Sequence, residues 1–199
     1  MFDNLITEIF LFLALINPIS KIFILHILAK ELKDKDLKKV ILRSSFFALL
    51  LLVAFSFAGT FILNRIFHIS LESLQVAGGI VLVTVGFNAL RKGVFFEVDM
   101  DKKLADLAIV PIASPIIAGP ATITASIVQS TTHGSIFVSI ALVIALAVNS
   151  IIMYFAPKIT KFLNNFNMGG ALIRITGLFV ASIGMDMILN GIGSFFGLI

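Results

Sequence analysis

Cysteine and tryptophan are both absent from this chain. The lack of cysteine excludes disulfide bonds, thiol catalysis and thiolate metal sites. Charge is also scarce, because acidic and basic residues make up only 13% of the 199 residues, against roughly 25% in an average soluble domain. A surface with so little charge would aggregate in water, whereas the same composition is expected of a protein surrounded by lipid.

Long apolar runs take the place of the missing charge. Hydrophobic residues make up 59% of the chain, and the mean hydropathy is +1.10. A helix needs about 20 apolar residues to cross the hydrocarbon core of a bilayer. The runs are continuous rather than alternating, which excludes a transmembrane β-barrel. The sequence therefore predicts an all-α membrane protein with six transmembrane helices, at Leu5–Ala29, Ile41–Leu63, Ser70–Leu90, Leu104–Gln129, Ser135–Ala156 and Gly170–Phe195.

The positive charges lie almost entirely on one side of this topology. The first, third and fifth loops carry Lys30, Lys33, Lys35, Lys38, Lys39, Arg43, Arg91, Lys92, Lys102, Lys103, Lys158 and Lys161, whereas the other side carries Arg65. The positive-inside rule makes the basic side cytoplasmic, which predicts that both termini face outward. Nucleic acid is not an expected partner, because no basic face is left once the helices are buried. The expected surroundings are the lipid bilayer.

An internal repeat relates the two halves of the chain. Leu15–Ser20 and Ile117–Thr122 share a small or polar residue, then a proline, then a hydroxyl two positions later. Further along, Leu74–Gly79 corresponds to Ile173–Leu178, and the glycine follows the proline after 60 residues in one half and 57 in the other. With one gap, Asn88 corresponds to Asp186. The consistent spacing predicts two structurally related halves.

Each half contains three predicted spans, so the second half enters the membrane in the opposite orientation. The predicted division is a first three-helix repeat at 1–95, a polar cytoplasmic connector at 96–106 and a second, inverted repeat at 107–199. Inverted-topology repeats are typical of secondary transporters.

Prolines interrupt the first and fourth predicted spans near the membrane midplane. Pro18 lies in the first span, and the fourth contains Pro111, Pro115 and Pro120. Proline breaks a helix but suits its first position, so we expect Asn17 and Gly119 to cap new half-helices. Non-helical backbone at this depth is tolerated only inside protein or beside a cavity. The alternative is two kinked structural helices.

The two half-helix starts together predict a site for a small zwitterion. A helix N-terminus attracts a carboxylate, and the carbonyls of the preceding half-helix could accept from an ammonium group. Hydroxyls in or near the first turns would add hydrogen bonds. The predicted substrate-binding residues are Asn17, Pro18, Ser20, Ser114, Gly119, Pro120, Thr122 and Thr124.

Asp186 is the acidic residue placed deep in a predicted span. Ionisable residues inside a membrane are expensive and by default functional. We therefore expect Asp186, with Asn88 at the corresponding position, to bind the substrate amine or carry a coupling proton. The alternatives are a structural pair with Lys21 or Arg174, or a protonated acid bonded to the backbone. Lys21 itself is expected to extend along the helix towards the cytoplasmic interface.

At these motifs the sequence resembles the MarC family, which includes small neutral amino acid transporters of archaea and bacteria. The resemblance lies in Asn17–Ser20, Ala77–Ile80 and the proline-rich run Pro111–Pro120. It implies a prokaryotic inner-membrane transporter of amino acids such as glycine and alanine, with the site at the two interrupted helices. The family often has glycine at Ser20 and Ala121 and proline at Phe23, so these departures imply a narrower site and a milder first break.

The leading functional hypothesis is a secondary transporter that works by alternating access. The chain has no Walker-type nucleotide loop, so no ATP-driven step and no cofactor is expected; H+ or Na+ remains as the coupling ion. The alternative is a channel or exporter of another small solute. An enzyme is not expected, because no serine–histidine dyad or acid pair falls within the predicted bilayer segments. The direction of transport and formation of a homo-oligomer are left open.

Overall fold

Apolar helices make up nearly all of the computed structural model, which describes residues 2–22, 25, 33–93, 117–165 and 169–198. The helices in these ranges are α1 (Phe2–Ile16), α2 (Asp34–Phe61), α3 (Leu71–Lys92), α4 (Pro120–His133), α5 (Ser135–Tyr154), α6 (Ala156–Asn165) and α7 (Gly169–Phe195). A π-helical stretch, Ile62–Phe67, continues α2. The all-α fold class is therefore confirmed for the described residues.

Four helical stretches are long and apolar enough to cross a membrane. They are Asp34–Phe67, Leu71–Lys92, Ser135–Tyr154 and Gly169–Phe195, and Asn4–Ile16 is a shorter apolar helix. The four stretches coincide with the second, third, fifth and sixth predicted spans. Of the first and fourth predicted spans, the structure describes residues 5–22 and 25 and residues 117–129. The connector at 96–106 and the prolines at 111 and 115 lie outside the described residues.

Local signals in the sequence set the ends of α3. The hydroxyl of Ser70 accepts a hydrogen bond from the Ser73 N–H at 3.1 Å, which satisfies one of the free donors of the first turn. At the other end, Gly93 adopts a left-handed conformation with φ of 69°. Glycine takes this conformation without a steric penalty, so it is the usual residue after a helix.

The α3 and α7 helices form the most extensive helix pair in the described residues. A Cβ atom built on Gly79 would lie 2.5 Å from the Gly184 carbonyl oxygen, and one built on Gly86 would lie 2.5 Å from the Gly177 oxygen. These glycines therefore let the two backbones touch. Backbone contact of this kind is how transmembrane helices associate where lipid removes the hydrophobic driving force.

Serine hydroxyls join α2 to α5. Ser150 donates to the Ser45 hydroxyl at 2.8 Å, and the Ser56 and Ser139 hydroxyls lie 3.3 Å apart. Ser135 also donates to the Ser56 carbonyl oxygen at 2.7 Å. The bonds lie at both ends of an antiparallel crossing, so they fix the register of the two helices.

The apolar core lies between α1, α2, α4 and α5. The outer surface is apolar as well. Phe12, Leu52, Val138 and Leu142 are completely buried, and α1 packs on α5 while α2 packs on α4. Large apolar side chains are exposed around the outside, among them Phe46, Phe57, Phe87, Ile136, Phe179 and Leu189. An apolar exterior of this extent matches a lipid environment.

The sequence predicts a fifth loop between the last two spans, but the structure has the α6 helix there. Pro157 falls in its first turn, where the missing N–H costs nothing. Thr160 is buried, and its hydroxyl lies 2.9 Å from the Ala156 oxygen and 3.4 Å from the Ile22 oxygen. Lys158 and Lys161 are exposed on the other face. The helix is thus amphipathic. The sequence did not indicate it, because a proline and two lysines are also typical of a loop.

Candidate functional site

The backbone is interrupted where the sequence analysis placed the first break. The α1 helix ends at Ile16, Asn17 has a φ of 53°, and residues 18–22 are helical again. The N–H of Asn17 still donates to the Leu13 oxygen at 2.8 Å, which is the last helical hydrogen bond. Left-handed backbone is tolerated by asparagine better than by most residues, and Pro18 cannot donate to the preceding turn. The residue pair therefore stops one helical segment and starts another.

Asn17 and Ser20 cap the new segment through reciprocal hydrogen bonds. The Asn17 side-chain oxygen accepts from the Ser20 N–H at 3.3 Å, and the Ser20 hydroxyl donates to the Asn17 carbonyl oxygen at 2.8 Å. Asn17 thus stands at the N-cap and Pro18 at the first helical position. Because the asparagine side chain already occupies the Ser20 N–H, this end has one donor fewer to offer a ligand.

Lys21 is buried at the same break. Its side chain is only 2% exposed, and its ammonium group donates to the carbonyl oxygen of Ile16 and, at 3.3 Å, to that of Asn17. The predicted extension towards the cytoplasmic interface is therefore wrong. The end of a helix leaves carbonyl groups without helical partners, and Lys21 donates to two of these acceptors at the end of α1. A helix C-terminus also carries the negative end of the helix dipole.

The second predicted half-helix begins at Pro120. Gly119 precedes it in an extended conformation, with φ of −70° and ψ of 168°, and no side chain caps the helix. Thr122 and Thr124 are each 2% exposed, and the Thr124 hydroxyl donates to the Pro120 oxygen at 2.9 Å. Thr124 also lies against Gly78, where an added Cβ would be 2.7 Å from its hydroxyl. Because the N-cap residue Gly119 has no side chain, it does not cap the first turn of α4 as Asn17 caps the first segment.

A cavity of about 380 Å³ opens beside the first break. Asn17 and Thr176 supply its polar side chains, and the rest of the lining is Phe10, Leu13, Ala14, Pro18, Ile19, Ile152, Phe179 and Val180. Its volume falls within the range of about 300–1,000 Å³ found for small-molecule sites. Of the predicted site residues, Asn17 and Pro18 line this cavity. Ser20, Gly119, Pro120, Thr122 and Thr124 do not.

Asp186 and Asn88 lie on the outer surface of the α3–α7 pair. Both are exposed, and the Asp186 carboxylate accepts from the Asn190 amide at 3.0 Å. Neither lines the cavity described above, so their coupling role stays a prediction. Ser114, the remaining predicted site residue, lies outside the described residues.

A buried carboxylate that the sequence analysis missed links α1 to α4. Glu8 is 4% exposed, and its Oε1 atom lies 3.3 Å from Nε2 of His133. In the described part of the chain its Oε2 atom has no hydrogen-bond partner. Glu8 shares a helix face with Phe12 and Leu15, which are also buried, and this spacing is the signal that could have identified it.

Comparison with known proteins places the chain in a family. The model of the MarC family, described as integral membrane proteins, matches residues 2–196. A UPF0056 membrane protein of Pyrococcus horikoshii is 36% identical over 97% of this chain and 95% of its own length. A second, from Buchnera aphidicola, is 32% identical over 92% of this chain and 89% of its own length. A third, from Methanocaldococcus jannaschii, is 27% identical over 90% of this chain and 91% of its own length.

These matches span nearly the full chain, so the protein belongs to the MarC family of integral membrane proteins. Its relatives come from both bacteria and archaea. No solved structure matches it.

Proposed function

We propose that this MarC-family protein is a secondary transporter that moves small neutral amino acids, such as glycine and alanine, across the cytoplasmic membrane. Two inverted three-helix repeats would rock or slide about a shared site, so that the site opens to each side in turn. The amino-acid class rests on the resemblance of Asn17–Ser20 and Pro111–Pro120 to family transporters of such substrates. The orientation with cytoplasmic basic loops belongs to the same proposal.

The observation that carries the proposal is the pair of proline-marked helix starts. Residues on either side of both starts are buried, with Asn17 and Ser20 at one and Ala118 and Ala121 at the other. Interrupted helices with buried hydroxyls are how many transporters expose backbone groups to a solute within the bilayer. A simple kink would leave the first helix continuous, whereas Asn17 has left-handed backbone and caps a new helical segment.

Close glycine contacts support the inverted repeat. In the register that pairs Asn88 with Asp186, which is one position from the register of Leu74–Gly79 with Ile173–Leu178, Gly177 lies 98 positions after Gly79 and Gly184 lies 98 positions after Gly86. The contacts join Gly79 to Gly184 and Gly86 to Gly177. Exchanging each glycine for its counterpart turns one contact into the other, as a two-fold axis between α3 and α7 requires. The same offset relates Asn88 to Asp186.

The serine bonds between α2 and α5 follow the same rule. Ser139 and Ser150 lie 94 positions after Ser45 and Ser56, and the bonds join Ser45 to Ser150 and Ser56 to Ser139.

The packing of whole helices agrees with this two-fold relation. Exchanging α1 with α4 and α2 with α5 converts the α1–α5 contact into the α2–α4 contact. Two independent side-chain patterns and the helix contacts thus support one pseudo-two-fold relation.

The chemistry of the two helix starts favours α4 as the carboxylate site. The N-cap residue of α4 is a glycine, which has no side chain to occupy the N–H groups of the first turn, and a helix N-terminus attracts an anion through these groups and the helix dipole. At the first start, Asn17 already caps the Ser20 N–H and Lys21 holds the preceding carbonyls. We therefore assign the substrate carboxylate to the Pro120–Thr122 turn and a positioning role to Asn17 and Ser20.

Flux of radiolabelled glycine and alanine into proteoliposomes tests the proposal. We expect saturable uptake that an unlabelled amino acid inside the vesicles accelerates. Thr122→Val should reduce uptake at least tenfold, and Ser20→Ala should reduce it less. Thr131→Val is the matched control, because Thr131 is an exposed threonine of the same helix. Absence of flux for both amino acids under any gradient would refute the amino-acid assignment.

The lining of the cavity favours one alternative, an exporter of a more apolar small solute. The volume of about 380 Å³ and the surrounding Phe10, Leu13 and Phe179 would accommodate an apolar body beside Asn17. Competition of larger neutral amino acids and uncharged solutes against glycine uptake separates the two functions. Stronger inhibition by the larger apolar compounds would favour the alternative.

A further inference from the structure

Lys21 is the buried cation of the first break, and backbone carbonyls are its acceptors. Its side chain is 2% exposed, and the ammonium group donates to the Ile16 and Asn17 oxygens. In the described part of the chain Lys21 forms no ion pair, and its acceptors there are carbonyl oxygens. A buried ammonium held by carbonyl dipoles alone is expensive, and its place at a helix break suggests a role.

Carbonyl groups at a broken helix end are also the groups that bind alkali cations in transporters. Half-helix C-termini and unwound carbonyls coordinate sodium ions in several transporter folds. The end of α1 supplies such groups, since Asn17 has left-handed backbone and the Ile16 and Asn17 oxygens accept from Lys21. A cation here is stabilised by the negative end of the α1 dipole. The ammonium of Lys21 meets the same requirements as a metal cation would.

We propose that Lys21 is a tethered cation that fills, at the end of α1, the place of a coupling sodium ion. The proposal rests on the transporter function proposed above and deepens it, because it makes transport independent of sodium. It also means that the substrate ammonium does not bind to the Ile16 and Asn17 carbonyls. The sequence had predicted that carbonyls at the end of this half-helix could accept from the substrate.

The second helix start differs at this position. By the correspondence of Pro18 with Pro120, Ile123 stands where Lys21 stands in the first half. Ile123 has no cationic group, so the second start has no tethered ammonium at the corresponding position. The two related starts have therefore diverged, with a fixed cation at one and an uncapped helix N-terminus at the other.

Thermal unfolding of the purified, full-length protein in detergent tests the proposal without a transport assay. Helicity would be followed in sodium, potassium and choline chloride at equal ionic strength, for the wild type, Lys21→Ala, Lys21→Arg and the exposed control Lys39→Ala. We expect the wild-type Tm to be the same in the three salts. The Tm of Lys21→Ala should be lower, and sodium at about ten times its dissociation constant should raise it by about 3 °C over choline.

The outcomes separate clearly. Lys21→Arg and Lys39→Ala should behave as the wild type does, with no preference for sodium. A wild-type Tm that rises specifically in sodium would overturn the proposal, and so would a Lys21→Ala variant whose Tm ignores all three cations. Should Lys21→Ala not fold, Lys21→Met, which keeps the apolar stem, takes its place, and the wild-type salt comparison still decides. Wild-type glycine flux should be unchanged when choline replaces sodium; flux that needs sodium refutes the tethered cation and leaves the transporter function intact.

Discussion

The contact between α3 and α7 allows the sharpest test of the architecture, through the change Gly86→Ala. A Cβ atom on Gly86 would lie 2.5 Å from the Gly177 oxygen and 2.6 Å from the Ala181 nitrogen. Both neighbours are backbone atoms, which cannot rotate away as the end of a side chain can. The two helices would therefore have to separate by several tenths of an ångström over the length of the crossing.

The expected cost follows from two opposing effects. Overpacking a tight site costs roughly 1–3 kcal/mol, and rigid backbone on both sides places Gly86→Ala in the upper part of that range. Alanine recovers about 1 kcal/mol through its better helix propensity. The net destabilisation is then about 1–2 kcal/mol, which lowers the Tm of a chain of this length by roughly 2–8 °C.

Helicity measured against temperature in detergent gives the comparison. Gly170→Ala is the matched control, because Gly170 lies in α7 and a Cβ there would meet no other helix of the described residues within 4 Å. Its Tm should equal or exceed that of the wild type. Gly184→Ala should resemble Gly86→Ala, since the proposed two-fold relation makes these glycines counterparts. Equal Tm values for Gly86→Ala and Gly170→Ala would refute the close helix contact, and a harmless Gly184→Ala would refute the relation between the glycines.

Three further outcomes follow from buried and exposed polar groups. His133→Ala should lower stability by about 1–3 kcal/mol, because it leaves the buried Glu8 carboxylate without its partner; Glu8→Gln in the same background should recover part of the loss. Asp186→Asn should leave glycine flux within twofold and its pH profile unchanged, since the carboxylate is exposed and away from the cavity; a lost pH dependence would restore the predicted coupling role. A double-mutant cycle of Ser45→Ala and Ser150→Ala should show coupling of about 0.6 kcal/mol, whereas strictly additive effects would argue against their hydrogen bond.

Hydrophobic length was the strongest signal in the sequence. A span needs an unbroken apolar run, so the helices Leu71–Lys92 and Gly169–Phe195 were predicted to within two residues at each end. The helix Ala156–Asn165 was missed, because Pro157 and two lysines resemble a loop when the burial of Thr160 is unknown. Local composition thus predicted the helices whose apolar length is set by the bilayer. It missed the helix Ala156–Asn165, whose formation depends on packing.

The sequence pattern predicted hydrogen bonds that are local in the chain but not those that depend on the folded backbone. The motif at Asn17 and Pro18 predicted a helix cap, because the geometry is local to four residues. The sequence did not predict that the Lys21 side chain bonds to two carbonyl groups instead of extending to the membrane interface. The folded backbone positions those carbonyl groups beside it. Glu8 was passed over because its partner His133 is brought near by the packing of α1 on α4, far away in the sequence.

The proposed two-fold relation makes the difference between the two helix starts informative. Glycine and serine contacts far from the starts agree with that relation. At the starts themselves, Asn17 and Lys21 hold the first break together, while the start of α4 has neither a capping side chain nor a lysine. A transporter with two equal sites would need both starts to stay alike. Under the proposed transport function, the divergence fits one substrate site, with the first break as its fixed support and the turn at Pro120 as the proposed place where the solute's negative charge binds.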